Sequence, residues 1–349
     1  MKKNKEQASC QRLGKVGGQA VIEGIMMRGR EQHTTAVRLP NGKIIRDTHK
    51  NNSISDKYKI LKWPMIRGVV NFYESLKLSF STLSFAADAL EIEEETKFEK
   101  WLKEKFGKTL MSFVMVIGAV LGVFLAVALF MFLPNLVTNL LGSLFGMDFS
   151  EGMSFSEQLF KSVTSGILRI VIFVLYVFLT SFMPDIKRTY QYHGAEHKTI
   201  FCYEANEELT VENIKKQKRL HPRCGTSFMF VMLIVGIFIS MFISWQINVF
   251  LLTLIKILLL PITVGIGYEI IRYAGRHNNA FIRFITAPGI WMQKITTREP
   301  SDDQIEVAIV ALKSALSDEF SEDDVFDGIE QPADIAAEEE KTEETNDAV

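Results

Sequence analysis

The sequence predicts a mainly α-helical membrane protein with four transmembrane helices, a small N-terminal cytoplasmic α+β region, an amphipathic helix and a disordered acidic C-terminal tail. Three observations carry this reading. The first is apolar length, because a run of roughly 18 or more residues without charge can cross the hydrocarbon core as a helix. The second is the placement of Lys and Arg around those runs, which stay on the cytoplasmic side. The third is a division of charge: 39 Lys+Arg against 41 Asp+Glu is nearly neutral, yet residues 301–349 hold 17 acids and two bases. Cys10, Cys202 and Cys224 are too few and too scattered for a disulfide framework, which points to a reducing compartment. The basic N-terminus is followed by no apolar stretch of signal-peptide type, so no cleavable signal is expected.

Residues 1–62 read as an N-terminal cytoplasmic region. Thr34 to Thr48 holds two short β-rich runs around Asn41-Gly42, a pair suited to the positive-φ positions of a hairpin turn. Residues 63–109 form an amphipathic helix and a charged neck. Ile66, Val69, Tyr73, Leu76, Phe80, Leu83, Ala87 and Leu90 recur at steps of three and four, which sets one apolar face starting near Pro64. That face suits either the headgroup plane or a partner helix.

Residues 110–298 form the membrane domain, with spans at about 110–133, 163–183, 227–245 and 247–268. The second carries Arg169 and the fourth Lys256. Five lysines precede the first span, whereas the loop to the second holds only Lys161, so that loop faces outward. Basic residues crowd 184–226 and the segment after span four, which therefore face inward. Both termini are cytoplasmic in this scheme, and the expected location is the bacterial inner (cell) membrane, crossed several times. Ser301-Asp302-Asp303-Gln304 opens a C-terminal helix within 299–317, and 318–349 is acidic and poor in large apolar residues.

The sharpest chemical pattern is His193-Gly194-Ala195-Glu196-His197, within 184–226. On a helix His193 and His197 stand one turn apart on one face, the spacing that lets two imidazoles hold one metal ion. The order H-x-x-E-H is that of inverted zincins, in which the Glu, here Glu196, is the general base. Topology gathers His221, Cys224, Glu269 and His277 at the same membrane face. Glu269 is the preferred third ligand, as an acidic residue on a later helix. His221 and Cys224 would instead close a four-ligand structural site, or stand beside the metal. Gly17 to Gly29, with Glu23 and Arg28, and the WPMIRG stretch, with Arg67, are secondary pocket candidates. Lys256 is another, because a charge near the bilayer midplane must snorkel, pair or line a wet cavity.

With GGQAVIEGIMMRG, WPMIRG, YHGAEHK and HPRCGTSF in view, the chain resembles the YqhQ-like family of bacterial membrane proteins over roughly residues 14–298. The family is often labelled a predicted metal-dependent enzyme. The resemblance implies His193, Glu196, His197, His221 and Cys224 as motif members.

These readings converge on a metal-dependent hydrolase at the cytoplasmic membrane face, with a divalent, zinc-like ion as cofactor. The alternatives are a scaffold or regulatory protein stapled by a structural metal site, and a transport component built around Lys256. The lipid bilayer is the expected partner; the acidic tail and amphipathic helix suit protein partners, and a homo-oligomer fits so few spans. No basic stripe with interleaved aromatics suggests nucleic acid binding.

Overall fold

A computed structural model describes residues 12–90, 117–118, 120–146, 154–243, 249–274 and 279–329. The charged neck from 91, His277, and the acidic tail from 330 lie outside the described residues.

The N-terminal region is a four-stranded antiparallel meander, β1 (Gly17–Val21), β2 (Gly24–Arg28), β3 (Gln32–Arg38) and β4 (Ile44–Lys50). The expected Asn41-Gly42 hairpin is its second half, with Gly42 at φ 87°. The glycine-rich segment supplies the first half, turning at Glu23 with φ 48°. Both faces of the sheet are covered. Ile25, Met27, Ala36 and Ile44 enter the main core, whereas Val21 and Val37 meet Ala86 on the opposite side. Alternation along a strand sends neighbours to opposite faces, so β2, between two other strands, is apolar at every position but its last.

Helix α1 (Ile66–Ala89) is the amphipathic helix. Its C-terminal half packs on the sheet through Ala86 and Phe85. Its N-terminal end packs on a later helix, where a Cβ on Gly68 would meet the Tyr268 side chain at 2.8 Å. Tyr73, Leu76, Phe80 and Leu83 remain exposed.

The apolar part departs from four equal spans. Among the described residues two helices, not four, are long and apolar enough to cross a membrane, α2 (Val120–Leu144) and α3 (Phe155–Thr180). Pro134 does not end α2. A wider π turn over Ala128–Phe132 precedes it, and the missing N–H and ring of the proline are accommodated there. Helix α3 begins eight residues ahead of expectation because Ser154 and Glu157 form a capping box. After α4 (Pro184–Glu204) and the short α5 (Val211–Lys215), α6 (Gly225–Ser240) has 16 residues and is shorter than a full span. The expected fourth span is broken at Leu259 into α7 (Val249–Leu258) and α8 (Leu260–Ala274). Then comes a helix the apolar-length argument passed over, α9 (Ala280–Thr296), capped by Asn279 and packed on α6 so closely that a Cβ on Gly289 would meet Ser227 Cα at 2.4 Å.

Helix α10 (Asp302–Ala315) is the expected C-terminal helix, started by the Ser301–Gln304 capping box. It is buried along nearly its whole length and makes the main core with α4 and the sheet, through Tyr192, Ala195, Tyr203, Ile305, Val310 and Leu312. Order extends past the expected boundary at 318. A further short helix, α11 (Glu322–Val325), seats Val325 in that core, with Phe320, Phe326 and Ile329 packed against it. Lys313 Nζ donates to Asp324 O at 2.7 Å, and Tyr203 OH donates to Glu319 at 2.7 Å, so the first acids of this segment serve packing.

Candidate metal centre

The whole H-x-x-E-H motif lies in mid-α4, on a helix started by Pro184 at its first turn. His193 and His197 face one side with ring centroids 4.4 Å apart. The third group is Cys224, the residue that caps the N-terminus of α6. Single ligand atoms of His193, His197 and Cys224 all lie within 4.8 Å of one another.

The surroundings orient each of these groups. His193 Nδ1 donates to Thr296 O at 2.8 Å, and His197 Nδ1 donates to Arg219 O at 2.5 Å. Carbonyl oxygens only accept, so both rings carry a proton on Nδ1 and turn Nε2 toward the centre. His193 Nε2 stands 3.2 Å from Cys224 Sγ, and His197 Nε2 is buried with no hydrogen-bond partner. Burial holds the His197 imidazole below its ordinary pKa, and therefore neutral. Burial also pushes the Cys224 thiol up, while the Thr226 hydroxyl and N–H, donating to the sulfur, pull it down.

Glu196 is buried beside this cluster, and desolvation raises its carboxyl to about 8. Its side chain lies directly against β1: a Cβ added to Gly18 would come within 2.8 Å of Glu196 Cγ and 2.9 Å of Oε1. The second glycine of the glycine-rich segment is thus a wall of the site. Gly194 makes another close approach, since a Cβ there would meet Arg298 O at 2.0 Å. That contact, with Arg298 N donating to Tyr190 O at 2.8 Å, brings the end of α9 onto α4 and sets Thr296 O on His193.

The cluster opens onto a cavity of about 780 Å³ between β1, α1, α4 and the start of α6. His193, Glu196, His197, His221 and Cys224 all line it, and Arg28 reaches it from β2. His221 is turned to a different task. Its ring is 5.5 Å from that of His197, centroid to centroid, and it faces Glu204 at 4.0 Å. Burial opposes ionisation of Glu204, but His221, the Gly14 N–H and Arg223 prevail and hold its carboxyl at about 2. Gln293 of α9, fully buried, fixes the His221 backbone from both sides: its Oε1 accepts from His221 N at 2.7 Å and its Nε2 donates to His221 O at 2.8 Å.

Several expected members lie elsewhere. Glu269 is not brought to the histidines; its carboxylate is gripped by Arg67 at 2.7 and 2.5 Å, and neither residue lines the cavity beside the histidines. The two preferences for Glu269 and Arg67 therefore resolve into one ion pair that fastens α1 to α8. Glu23 pairs with Arg188 and accepts from Tyr192 OH, outside the cavity. Lys256 lines a separate apolar cavity among the helices. Gln293 and Thr296 had no signal in residue type alone, because each acts through a backbone contact, whereas Gly18 falls within the glycine-rich pocket candidate.

Two imidazole nitrogens and one thiolate form a donor set suited to zinc, and an unpartnered buried Nε2 on His197 is the atom such an ion would satisfy. The residues present therefore fit the implied metal.

Comparison with known proteins places the motifs in a family. A family model described as "Protein of unknown function (DUF1385)" matches residues 63–318. A relative from Bacillus subtilis (strain 168), described as "Uncharacterized protein YqhQ", is 32% identical over 305 residues, covering 86% of this chain and 92% of the relative. No solved structure matches.

Proposed function

The chain belongs to the DUF1385 family, and for this member we propose a membrane-embedded, metal-dependent hydrolase with its site at the cytoplasmic membrane face. The observation that carries this reading is the three-ligand set of His193, His197 and Cys224, open on one side to a cavity that also holds Glu196. Catalytic zinc sites use three protein ligands and keep a position free, whereas structural sites close with four. The His221 ring, which would close this one, faces Glu204 at 4.0 Å instead, on a backbone held by Gln293.

When bound, a zinc-class ion supplies Lewis acidity and a positive field that favours the ionised forms of Cys224 and Glu196. The Nδ1 bonds to Thr296 and Arg219 hold both imidazoles in the ligating tautomer. Glu196 takes the proton of the attacking water on its carboxylate and returns it to the leaving group.

The membrane placement belongs to the same proposal. Helices α2 and α3 form one pair of crossings, and α6 with the broken α7 and α8 forms the second. The clustering of Lys and Arg in 184–226 and after 268 supports a cytoplasmic metal centre and cytoplasmic termini.

Glu196→Gln tests the hydrolase reading. The variant is expected to keep its metal and fold, and cells expressing it should accumulate a peptide or lipid species that wild type consumes. Unchanged lipid and peptide extracts from cells lacking the protein, wild type and Glu196→Gln would favour a structural metal site.

A further inference from the structure

The cavity beside the candidate metal centre has one wall that the chemistry above does not use. Strand β1 is an end strand of the sheet, bonded to β2 on one side only. The ladder fixes which of its backbone groups are taken. Gly29 N donates to Gln32 O and Arg38 N donates to Glu23 O, so the odd-numbered residues between them, Ile25 and Met27, bond toward β3. The even-numbered ones, Gly24, Met26 and Arg28, therefore bond toward β1, where they face Val21, Gln19 and Gly17. The N–H and C=O groups of Gly18 and Ala20 point the other way, out along the open edge, and bond to no described residue.

That edge opens onto the cavity. Gly17, Gly18, Gln19 and Ala20 all line it, and the two glycines have no side chain, so what they present is backbone. Leu78 and Ser79 of α1 stand on one side of the edge, and Glu196 and Ile200 of α4 on the other. Alternating free N–H and C=O groups along a strand are matched by another extended backbone, which adds about 4.8 Å away. A lipid headgroup and its chains carry no such alternation. Charge narrows the choice further. Among the described residues Lys15, Arg28 and Arg223 bring positive charge to the lining; Lys15 pairs with Glu319 and Arg223 with Glu204, whereas Arg28 makes no ion pair. Arg28 stands opposite Gly17 on the neighbouring strand, one position from the Gly18 that Glu196 abuts.

We propose that the substrate is an extended peptide, which adds to the free edge of β1 through Gly18 and Ala20 and sets an acidic side chain on Arg28. This names the substrate class of the hydrolase proposed above and rests on that reading. Cleavage breaks the peptide C–N bond beside Glu196: the water oxygen joins the carbonyl carbon and both water protons leave on the amine, the new acid being ionised.

The test is fluorescence anisotropy of a fluorescein-labelled pentapeptide amide, Thr-Val-Asp-Val-Thr, with the zinc-loaded full-length protein in detergent, as wild type and as Glu196→Gln. In Glu196→Gln binding is read without cleavage. N-methylating every second amide separates an added strand from any other pose, because one phase blocks the side toward β1 and the other the side away from it. One phase should lose binding about tenfold and the other should keep it. Lys in place of the Asp should weaken binding about tenfold in wild type and leave it unchanged in Arg28→Gln. Ala20→Pro removes an outward N–H and no ladder bond, so it should weaken binding about tenfold while metal content and melting temperature hold. Equal binding of the two methylated phases would overturn the proposal, as would equal binding of the Asp and Lys peptides or unchanged binding in a folded Ala20→Pro protein. Cleavage of a phospholipid with no peptide bound would keep the hydrolase and overturn the peptide. Phase-dependent binding of a peptide that wild type leaves intact would contradict the hydrolase and leave the strand site standing.

Discussion

At Gly18 the absence of a side chain decides where a carboxylate can be. The Glu196 side chain occupies the space a Cβ would need, at 2.8 to 2.9 Å, and it is the flexible party in that contact. Gly18→Ala is therefore expected to move Glu196 rather than to unfold β1. A displacement of about 1 Å in a catalytic group costs on the order of a hundredfold in rate. The expected result is a loss of that size in turnover, with metal content and melting temperature close to wild type; a fully active Gly18→Ala protein would detach Glu196 from the chemistry. This pairing also marks the limit of what residue types reveal. His193, Glu196, His197 and Cys224 were legible as a candidate group, the first three by helical spacing and Cys224 by its place at the same membrane face, and the structure brings them together. Gly18 read only as one glycine of a possible pocket-lining segment, and Gln293 carried no reading, because what they do is defined by a neighbour 178 and 72 positions away. Glu269 misled for the same reason: position at the membrane face suggested a ligand, and Arg67, 202 residues earlier, claimed it.

At the scale of elements, three segments converge on the centre, and their meeting depends on close backbone approach. Helix α4 brings the motif, α6 begins at Cys224, and the end of α9 supplies Thr296 and Gln293. Gly194 lets the chain after α9 lie against α4, with 2.0 Å between Arg298 O and the place of a Cβ. Backbone faces backbone there, so no side chain can swing away. Gly194→Ala is expected to cost about 1–3 kcal/mol in stability, read by chemical denaturation, and to weaken metal retention by loosening the Thr296 bond to His193. Stability within a few tenths of a kcal/mol of wild type would contradict this packing. The Asn41-Gly42 hairpin, α1 and α10 were legible from a turn pair, period and a capping box, whereas α4 lies in a segment read as a cytoplasmic loop. Helix α9 was not: Arg283, Pro288 and Lys294 interrupt its apolar run, and length alone registers only uninterrupted runs.

Over the whole molecule, a sheet with α4 and α10 forms one body and the apolar helices form another, joined by α1 along the side and by the short segments at Cys224 and Thr296. The candidate metal centre, His193, His197 and Cys224, lies at that junction. Charge had divided the chain correctly into a basic body and an acidic end, but the acidic end contributes Val325 and its neighbours to the core before it leaves the described residues, because packing needs only a few apolar positions among many acids. The central claim is that one ion is held by His193, His197 and Cys224 and by no fourth protein ligand. Elemental analysis of the detergent-purified protein tests it directly, after zinc is offered and excess removed. One zinc per chain is expected in wild type, lost in His193→Ala, His197→Ala and Cys224→Ser and kept in Glu269→Gln and His221→Ala; no bound metal in wild type, or retention in Cys224→Ser with loss in Glu269→Gln, would contradict the account.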